Sequence, residues 1–309
     1  MQSILITGAS GFIGSHLLNR LYKLHKYNIS LLLRKDIKYL NKKINQIIIE
    51  DISKVKNFET ILPKFDIVIH LAGIAHDKTV KKEDFKLINI DVTSKLVKWA
   101  IRNKVKRFIF LSSIGVNGNS SKKPFSENDF PNPKQNYAKA KFSSEKNIIS
   151  NLKNNSYTKY IIVRSPLVYG NDAPGNFSLL KKWVKSSLPL PFGCINNNRK
   201  SIISINNLVS FFLLIIEHPL ALNNLFLISD SKSISTKDLV NNMIGDKSHL
   251  IKNLPIPKLL IKLLLYSIGK GHLNNKLLES LEINIDKSKD ILGWNPPYET
   301  YSEINKAMS

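Results

Sequence analysis

Cysteine is nearly missing: Cys194 is the single one among 309 residues. That excludes a disulfide scaffold and an all-cysteine metal site, and it fits a reducing cytosol, the expected location. No uncharged run is long enough to span a bilayer, so no stable membrane insertion is expected. A signal peptide is not expected either, since an apolar strand begins at the third residue. Acidic residues are scarce, 23 against 46 basic, for a net charge of +23. Such an excess can mark a partner that is nucleic acid or an anionic surface. Here it is mostly Lys, spread along the chain among many Asn and Ile, with no basic stripe interleaved with aromatics. No nucleic-acid partner is therefore expected, whereas an anionic substrate suits the charge. The chain also lacks an internal repeat and a low-complexity linker. Its length and 43% hydrophobic content suffice for one large domain or two small ones with a sizeable core.

What is present is an alternation. Ser3 to Thr7 is a short apolar run of the kind that forms a buried parallel strand. Gly8, Ala9, Ser10, Gly11, Phe12, Ile13 and Gly14 follow, and an apolar-periodic stretch from Phe12 to Leu24 reads as a helix. Strands are predicted at Ile29–Leu33, Gln46–Ile49, Ile67–His70, Phe108–Ser112 and Tyr160–Val163. Between them fall helices at Val55–Leu62, Glu83–Arg102 and Tyr137–Asn151. This rhythm predicts an α/β fold, a Rossmann-type doubly wound parallel sheet covered by helices on both faces. After Arg164-Ser165-Pro166 the rhythm breaks, through a Gly-, Pro- and Asn-rich stretch at Tyr169–Asn198. A helix at Leu208–Glu217 and a strand at Leu225–Ile228 follow, and from Ser235 the pattern is mostly helical. The division expected is 1–168 as the dinucleotide domain, with 201–230 returning to it. Residues 169–200 and 231–309 would form a smaller, mostly helical lobe for substrate.

The strand, glycine turn and helix N-terminus make a phosphate cradle. Gly8 permits the tight turn, Gly11 lets a pyrophosphate approach, and Gly14 lets helix and strand pack closely. Tyr137 and Lys141 are four apart on one helix and share a face. Lys141 there is expected to lower the Tyr137 pKa toward neutrality, with Ser113 or Ser112 donating a hydrogen bond to a substrate oxygen. Such groups suit proton transfer at a carbinol or carbonyl carbon while a nicotinamide exchanges hydride. His16, His70 and His76 have no metal-ligand spacing, so no metal site is expected.

Together these segments resemble the extended short-chain dehydrogenase/reductases of the nucleotide-sugar epimerase and dehydratase group, over essentially the whole chain. The resemblance implies that the Gly8–Gly14 loop, Asp51-Ile52 and Leu71-Ala72-Gly73 line the cofactor. Asn89, Pro166, Tyr137 and Lys141 would line it too. It implies Ser113, Tyr137 and Lys141 as the catalytic set, Ser113 being favoured because it lies five residues before Gly118. It implies that Asn176, with Arg199 and Lys200, meets the nucleotide diphosphate of a UDP-sugar, and it implies no metal. Asn117 stands where relatives carry Tyr. The Arg34-Lys35 pair after the second strand suits the 2′-phosphate of NADP, and Asp36 leaves NAD open. Ile114-Gly115 after Ser113 carries no carboxylate, which argues against dehydration. The preferred reading is reduction of the C4 ketone of a UDP-4-keto-6-deoxy-N-acetylhexosamine for surface polysaccharide. The alternative is a UDP-hexose 4-epimerase with tightly held NAD. A non-catalytic NADP-binding regulator is a third, against which the retained Ser-Tyr-Lys set argues. Oligomeric state stays open, a homodimer included, as does contact of Pro257–Ser267 with a membrane surface.

Overall fold

A computed structural model describes residues 1–38, 44–74, 85–186, 188–245, 252–267, 269 and 271–309. Except between the third and fourth strands, the first half alternates as expected: β1 (Gln2–Thr7), α1 (Phe12–Lys23), β2 (Tyr27–Leu33), β3 (Asn45–Ile48), β4 (Ile67–His70), α2 (Val92–Arg102), β5 (Arg107–Ser113), α3 (Asn136–Leu152) and β6 (Lys159–Ser165). Then come β7 (Leu167–Tyr169), α4 (Asn176–Lys185), β8 (Ile202–Ser204), α5 (Ile205–Glu217) and β9 (Asn224–Leu227). Helices α6 (Thr236–Ile244), α7 (Lys258–Ser267), α8 (Asn274–Leu277), α9 (Asp286–Leu292) and α10 (Thr300–Met308) follow.

Seven strands form one sheet in the order β3-β2-β1-β4-β5-β6-β9, and every pairing is parallel. The strands are apolar on both faces because both are covered. Ile4, Ile6, Ile67, Ile69, Ile109 and Ile161 point to one side, where Leu17 and Leu21 of α1 and Phe211, Phe212 and Ile215 of α5 pack on them. The alternate residues Leu5, Val68, Phe108, Phe110 and Ile162 point to the other, against Leu96, Val97 and Trp99 of α2 and Ile148 of α3. A two-residue period thus builds two cores from each strand. A third core joins Tyr169, Phe177, Phe192, Ile202, Val240, Ile261 and Ile304 from the C-terminal segments.

Two helices read from the sequence are corrected. Val55–Leu62 is not a helix: a 3₁₀ turn at Ile52–Lys54 precedes it, and the stretch itself holds only bends and turns. Asn57 accepts from the Glu59 backbone N–H, which offers the chain an alternative to helix, as Asn commonly does. Val55, Phe58 and Leu62 are nevertheless buried, so their spacing reported a packed face rather than a continuous helix. The stretch expected to be one helix at Glu83–Arg102 begins outside the described residues. Within them it opens as a π-helical turn at Phe85–Asp91 and becomes α-helical only at Val92.

Candidate active site

Strand β1 lies between β2 and β4, so the sheet changes direction beside it and a crevice opens at the carboxyl ends of the strands. The glycine loop sits there. Gly8 has φ +75°, and a Cβ on it would lie 2.7 Å from the Ala72 nitrogen. A Cβ on Gly14 would lie 2.2 Å from the Gly8 carbonyl oxygen, so the loop folds flat onto α1. At Gly11 the nearest atom to such a Cβ is the Gly8 oxygen at 3.4 Å, so that face of the loop is open. Gly11 caps α1 without a side chain, and the first turn carries no acidic residue. The helix therefore presents its first N–H groups and positive end with no internal anion. Ser10 is exposed, Ile13 packs on the sheet core, and the Phe12 ring bridges that core and the third one.

A buried hydrogen-bond chain fixes this loop to the next strand. His70 is fully buried, with Nδ1 2.7 Å from the Thr7 hydroxyl and Nε2 2.9 Å from that of Thr93. The single Thr93 hydroxyl proton goes to the Asn89 carbonyl at 2.7 Å. His70 Nε2 therefore carries a hydrogen and donates, and Nδ1 accepts from Thr7. Thr7 in turn accepts from the Ala72 N–H. Burial, followed by the Lys141 charge, pushes the imidazole down to about 3, so it stays neutral. His70 thus holds β1, β4 and α2 in register. His16 Nδ1 lies against the Phe12 carbonyl, and His76 falls outside the described residues.

Asn89 is 1% exposed and spends its amide on one residue. Its Oδ1 accepts from the Ile74 N–H at 2.9 Å and its Nδ2 donates to the Ile74 carbonyl at 3.1 Å. Its own carbonyl takes hydroxyl donors from both Thr93 and Ser144 of α3. The widened π turn thus puts Asn89 where it clamps the Gly73-Ile74 backbone. A Cβ on Gly73 would lie 3.0 Å from Asn89 Oδ1 and 3.3 Å from Lys141 Nζ. Gly8, Leu71, Ala72, Gly73, Asn89 and Lys141 consequently form one continuous group.

Lys141 is 3% exposed; its ammonium donates to the Leu111 carbonyl at 2.8 Å and lies 4.5 Å from the Phe110 ring centroid. It is 5.9 Å from the Tyr137 ring centroid, so the pair shares a face as the spacing predicts. The expected lowering of the Tyr137 pKa is not what the fold produces. Burial pushes the phenol up to about 12 and the ammonium down to about 8, where Glu145 partly opposes it. Desolvation moves both groups toward their neutral forms, and the ammonium is directed at a backbone carbonyl.

The two serines are distinguished by their partners. Ser112 is buried and its hydroxyl donates to Glu145 Oε1. Ser113 is part-exposed, at the start of the 3₁₀ turn Ile114–Val116, and its hydroxyl oxygen accepts from the Gly115 N–H at 3.2 Å. A Cβ on Gly115 would lie 3.3 Å from that of Ala138, which puts the Ser113 turn against the residue after Tyr137. Behind them runs a network the sequence reading missed. Arg164, 3% exposed, holds Glu145 with Nε at 3.0 Å and Nη2 at 2.6 Å, and donates from Nη1 to Asn117 Oδ1 at 2.8 Å. Asn117 is thereby committed to the interior. Glu145 follows Lys141 by one helical turn, and that spacing was the available signal.

The remaining predicted residues belong to other segments of the chain. Pro166 is buried between β6 and β7. Arg34, Lys35 and Asp36 are exposed just past β2, whose Leu32 pairs with Thr7 beside the glycine loop. Asp51 turns to its own 3₁₀ turn: it accepts from the Ser53 N–H and hydroxyl at 3.0 and 2.6 Å and lies 3.7 Å from Lys54 Nζ. Ile52, part-buried, packs on the core beneath that turn. Asn176 opens α4 after Gly175, whose φ is +72°. Arg199 is exposed, whereas Lys200 is part-buried and burial pushes its ammonium down to about 8, opposed by Glu279. Phe177 and Ile202, close neighbours in sequence of Asn176 and Lys200, share the third core.

Residues 4–226 match the model of the NAD dependent epimerase/dehydratase family. The chain belongs to this family. A UDP-glucose 4-epimerase of Vibrio cholerae is 34% identical over 304 residues, 96% of this chain and 91% of that one. An N-acetyl-alpha-D-glucosaminyl-diphospho-ditrans,octacis-undecaprenol 4-epimerase of Escherichia coli O157:H7 is 25% identical, across 83% of this chain and 76% of its own. Among solved structures, UDP-glucuronic acid 4-epimerase from Bacillus cereus in complex with NAD shares the fold with a TM-score of 0.78. It is 23% identical and covers 99% of this chain and 96% of that one.

As an epimerase/dehydratase-family enzyme, the protein works with a nicotinamide cofactor, and the open face at Gly11 with the uncapped start of α1 fits its diphosphate. Two glycine variants separate binding from folding. Gly11→Val is expected to weaken cofactor binding with little change in thermal stability, since its side chain would enter the anion's space. Gly14→Ala is expected to lower the melting temperature itself, because its Cβ meets backbone at 2.2 Å. Cofactor titration and thermal unfolding of both proteins check this; unchanged affinity in Gly11→Val would remove the ligand from this loop.

Proposed function

We propose that the enzyme is a nucleotide-sugar 4-epimerase, acting at carbon 4 of a UDP-hexose or UDP-N-acetylhexosamine. The observation that carries this reading is the likeness to the Vibrio cholerae UDP-glucose 4-epimerase along nearly the full length of both chains. The geometry of Ser113, Tyr137 and Lys141 at the crevice supports it. In this reading the Tyr137 phenol moves the proton of the 4-hydroxyl and Ser113 donates a hydrogen bond to that oxygen. Lys141 keeps positive charge beside the phenol. A nicotinamide held at the glycine loop supplies a hydride acceptor and, when oxidised, a further positive charge. Asn176, Arg199 and Lys200 hold the substrate diphosphate, a group that the names of the Vibrio and Escherichia relatives' substrates have in common. A neighbouring phosphate would restore the Lys200 proton affinity that burial lowers.

The second reading, a UDP-4-keto-6-deoxy-N-acetylhexosamine reductase, is favoured by Arg34-Lys35, which suits NADP. A reductase exchanges its cofactor each turnover, whereas an epimerase regenerates its own and can retain NAD⁺. The purified enzyme is therefore incubated with UDP-glucose, UDP-GlcNAc, prenyl-diphosphate-linked GlcNAc and a UDP-4-keto-6-deoxy sugar, each with NADH, NADPH or neither. Unchanged mass with inverted carbon 4, without added reductant, is the expected result. A gain of two hydrogens would move the assignment to the reductase, and absence of turnover throughout to a regulator. Under the reductase reading NADPH would be preferred about tenfold to a hundredfold, less at high salt, and Arg34→Asp would invert that preference.

A further inference from the structure

We infer that α7 seats the C-terminal lobe on the surface of an anionic lipid bilayer. Residues 252–267 contain Lys252, Lys258 and Lys262 and no acidic residue. In α7, Ile261 and Leu265 enter the third core. The rest of its apolar side chains do the opposite: Leu259, Leu260, Leu263, Leu264 and Tyr266 are between 54% and 66% exposed. At 100° per residue those five fill one continuous arc, and Lys258 and Lys262 stand along one edge of it, between the exposed arc and the buried one. At 1.5 Å per residue, a ten-residue helix is about 15 Å long, half a bilayer's hydrocarbon core, so it can lie in the interface but not cross. No described helix is long and apolar enough to cross a membrane.

Charge selects the occupant. A leucine-rich arc edged by lysines matches an anionic interface, where the apolar side chains enter the headgroup boundary and the ammonium groups meet phosphates. Glu279 pairs with Lys258 at 3.1 Å, so the charge on this edge rests on Lys262, with Lys252 preceding the helix. A second copy packed antiparallel on this face would bring the lysine edges of both copies together, and one packed parallel would set each lysine edge beside the partner's apolar one, with no anion for it to meet in either case. With a net charge of +23, long-range attraction acts in the same direction.

The test is flotation of the full-length protein with vesicles of phosphatidylglycerol and phosphatidylethanolamine, and with phosphatidylcholine alone. It needs no turnover and so is independent of the activity assigned above. Wild type is expected to float with the anionic vesicles and to stay in solution with the neutral ones. Leu260→Ser/Leu264→Ser keeps every charge and alters exposed positions only, so its circular dichroism and melting temperature should match wild type. Its vesicle affinity should fall about tenfold or more, as two leucines leave the interface. Equal flotation of this variant would mean that bulk charge alone binds and would overturn the inference. So would light scattering that finds a wild-type dimer made monomeric by the same substitutions.

Discussion

Tyr137→Phe is expected to lower turnover by about 10²–10⁴-fold, the usual contribution of a positioned acid–base group, while cofactor affinity is largely retained. The ring and its packing survive, and only the proton carrier is lost. The fold makes this residue demanding to use. Burial pushes its phenol up to about 12, so in the chain alone it is a proton donor at neutral pH. Acting as a base requires positive charge nearby. Lys141 supplies part of it from a position fixed by the Leu111 carbonyl and the Phe110 ring. Lys141→Met should therefore lower both turnover and cofactor affinity, since this side chain also lies against Gly73 in the cofactor crevice. The measurement is steady-state kinetics beside cofactor titration for each protein. Near-normal turnover by Tyr137→Phe would end the catalytic assignment.

The second large effect is expected on stability. Glu145→Ala leaves the Arg164 guanidinium buried without its counter-charge, and removing one partner of a buried pair costs about 3–5 kcal/mol. Ser112 loses its acceptor in the same step. The double variant Glu145→Ala/Arg164→Met should be less destabilised than Glu145→Ala alone, because no unpaired charge remains. Denaturant unfolding of the wild type, both singles and the double gives the coupling directly. The consequence for chemistry has a definite sign. Burial lowers the Lys141 pKa to about 8 and Glu145 opposes that lowering. Without Glu145 the ammonium loses its proton at lower pH, so the alkaline limb of the activity profile should move toward neutrality. An unmoved limb in a variant that still folds would separate Glu145 from the site.

The sequence by itself determined the class of fold, the glycine loop and the Tyr137–Lys141 pair. Each rests on local information: an apolar run, a glycine spacing, two residues one helical turn apart. Local patterns persist whatever the chain later packs against, so they can be read directly. Only the tertiary structure decided the rest. Ser112 was turned inward by Glu145, which reaches it from another element, and Asn117 was drawn inward by Arg164. Asn89 became a clamp on Ile74 because α3 offered Ser144 to its carbonyl and the helix widened around it. Val55–Leu62 lost its helix once Asn57 bonded backbone nearby, while the three apolar side chains kept their burial. The direction of the Tyr137 shift followed from desolvation, and the outward leucines of α7 from which of its faces the third core had room to cover. These are matters of which distant groups meet and how much water is excluded between them, and spacing along the chain does not carry that information.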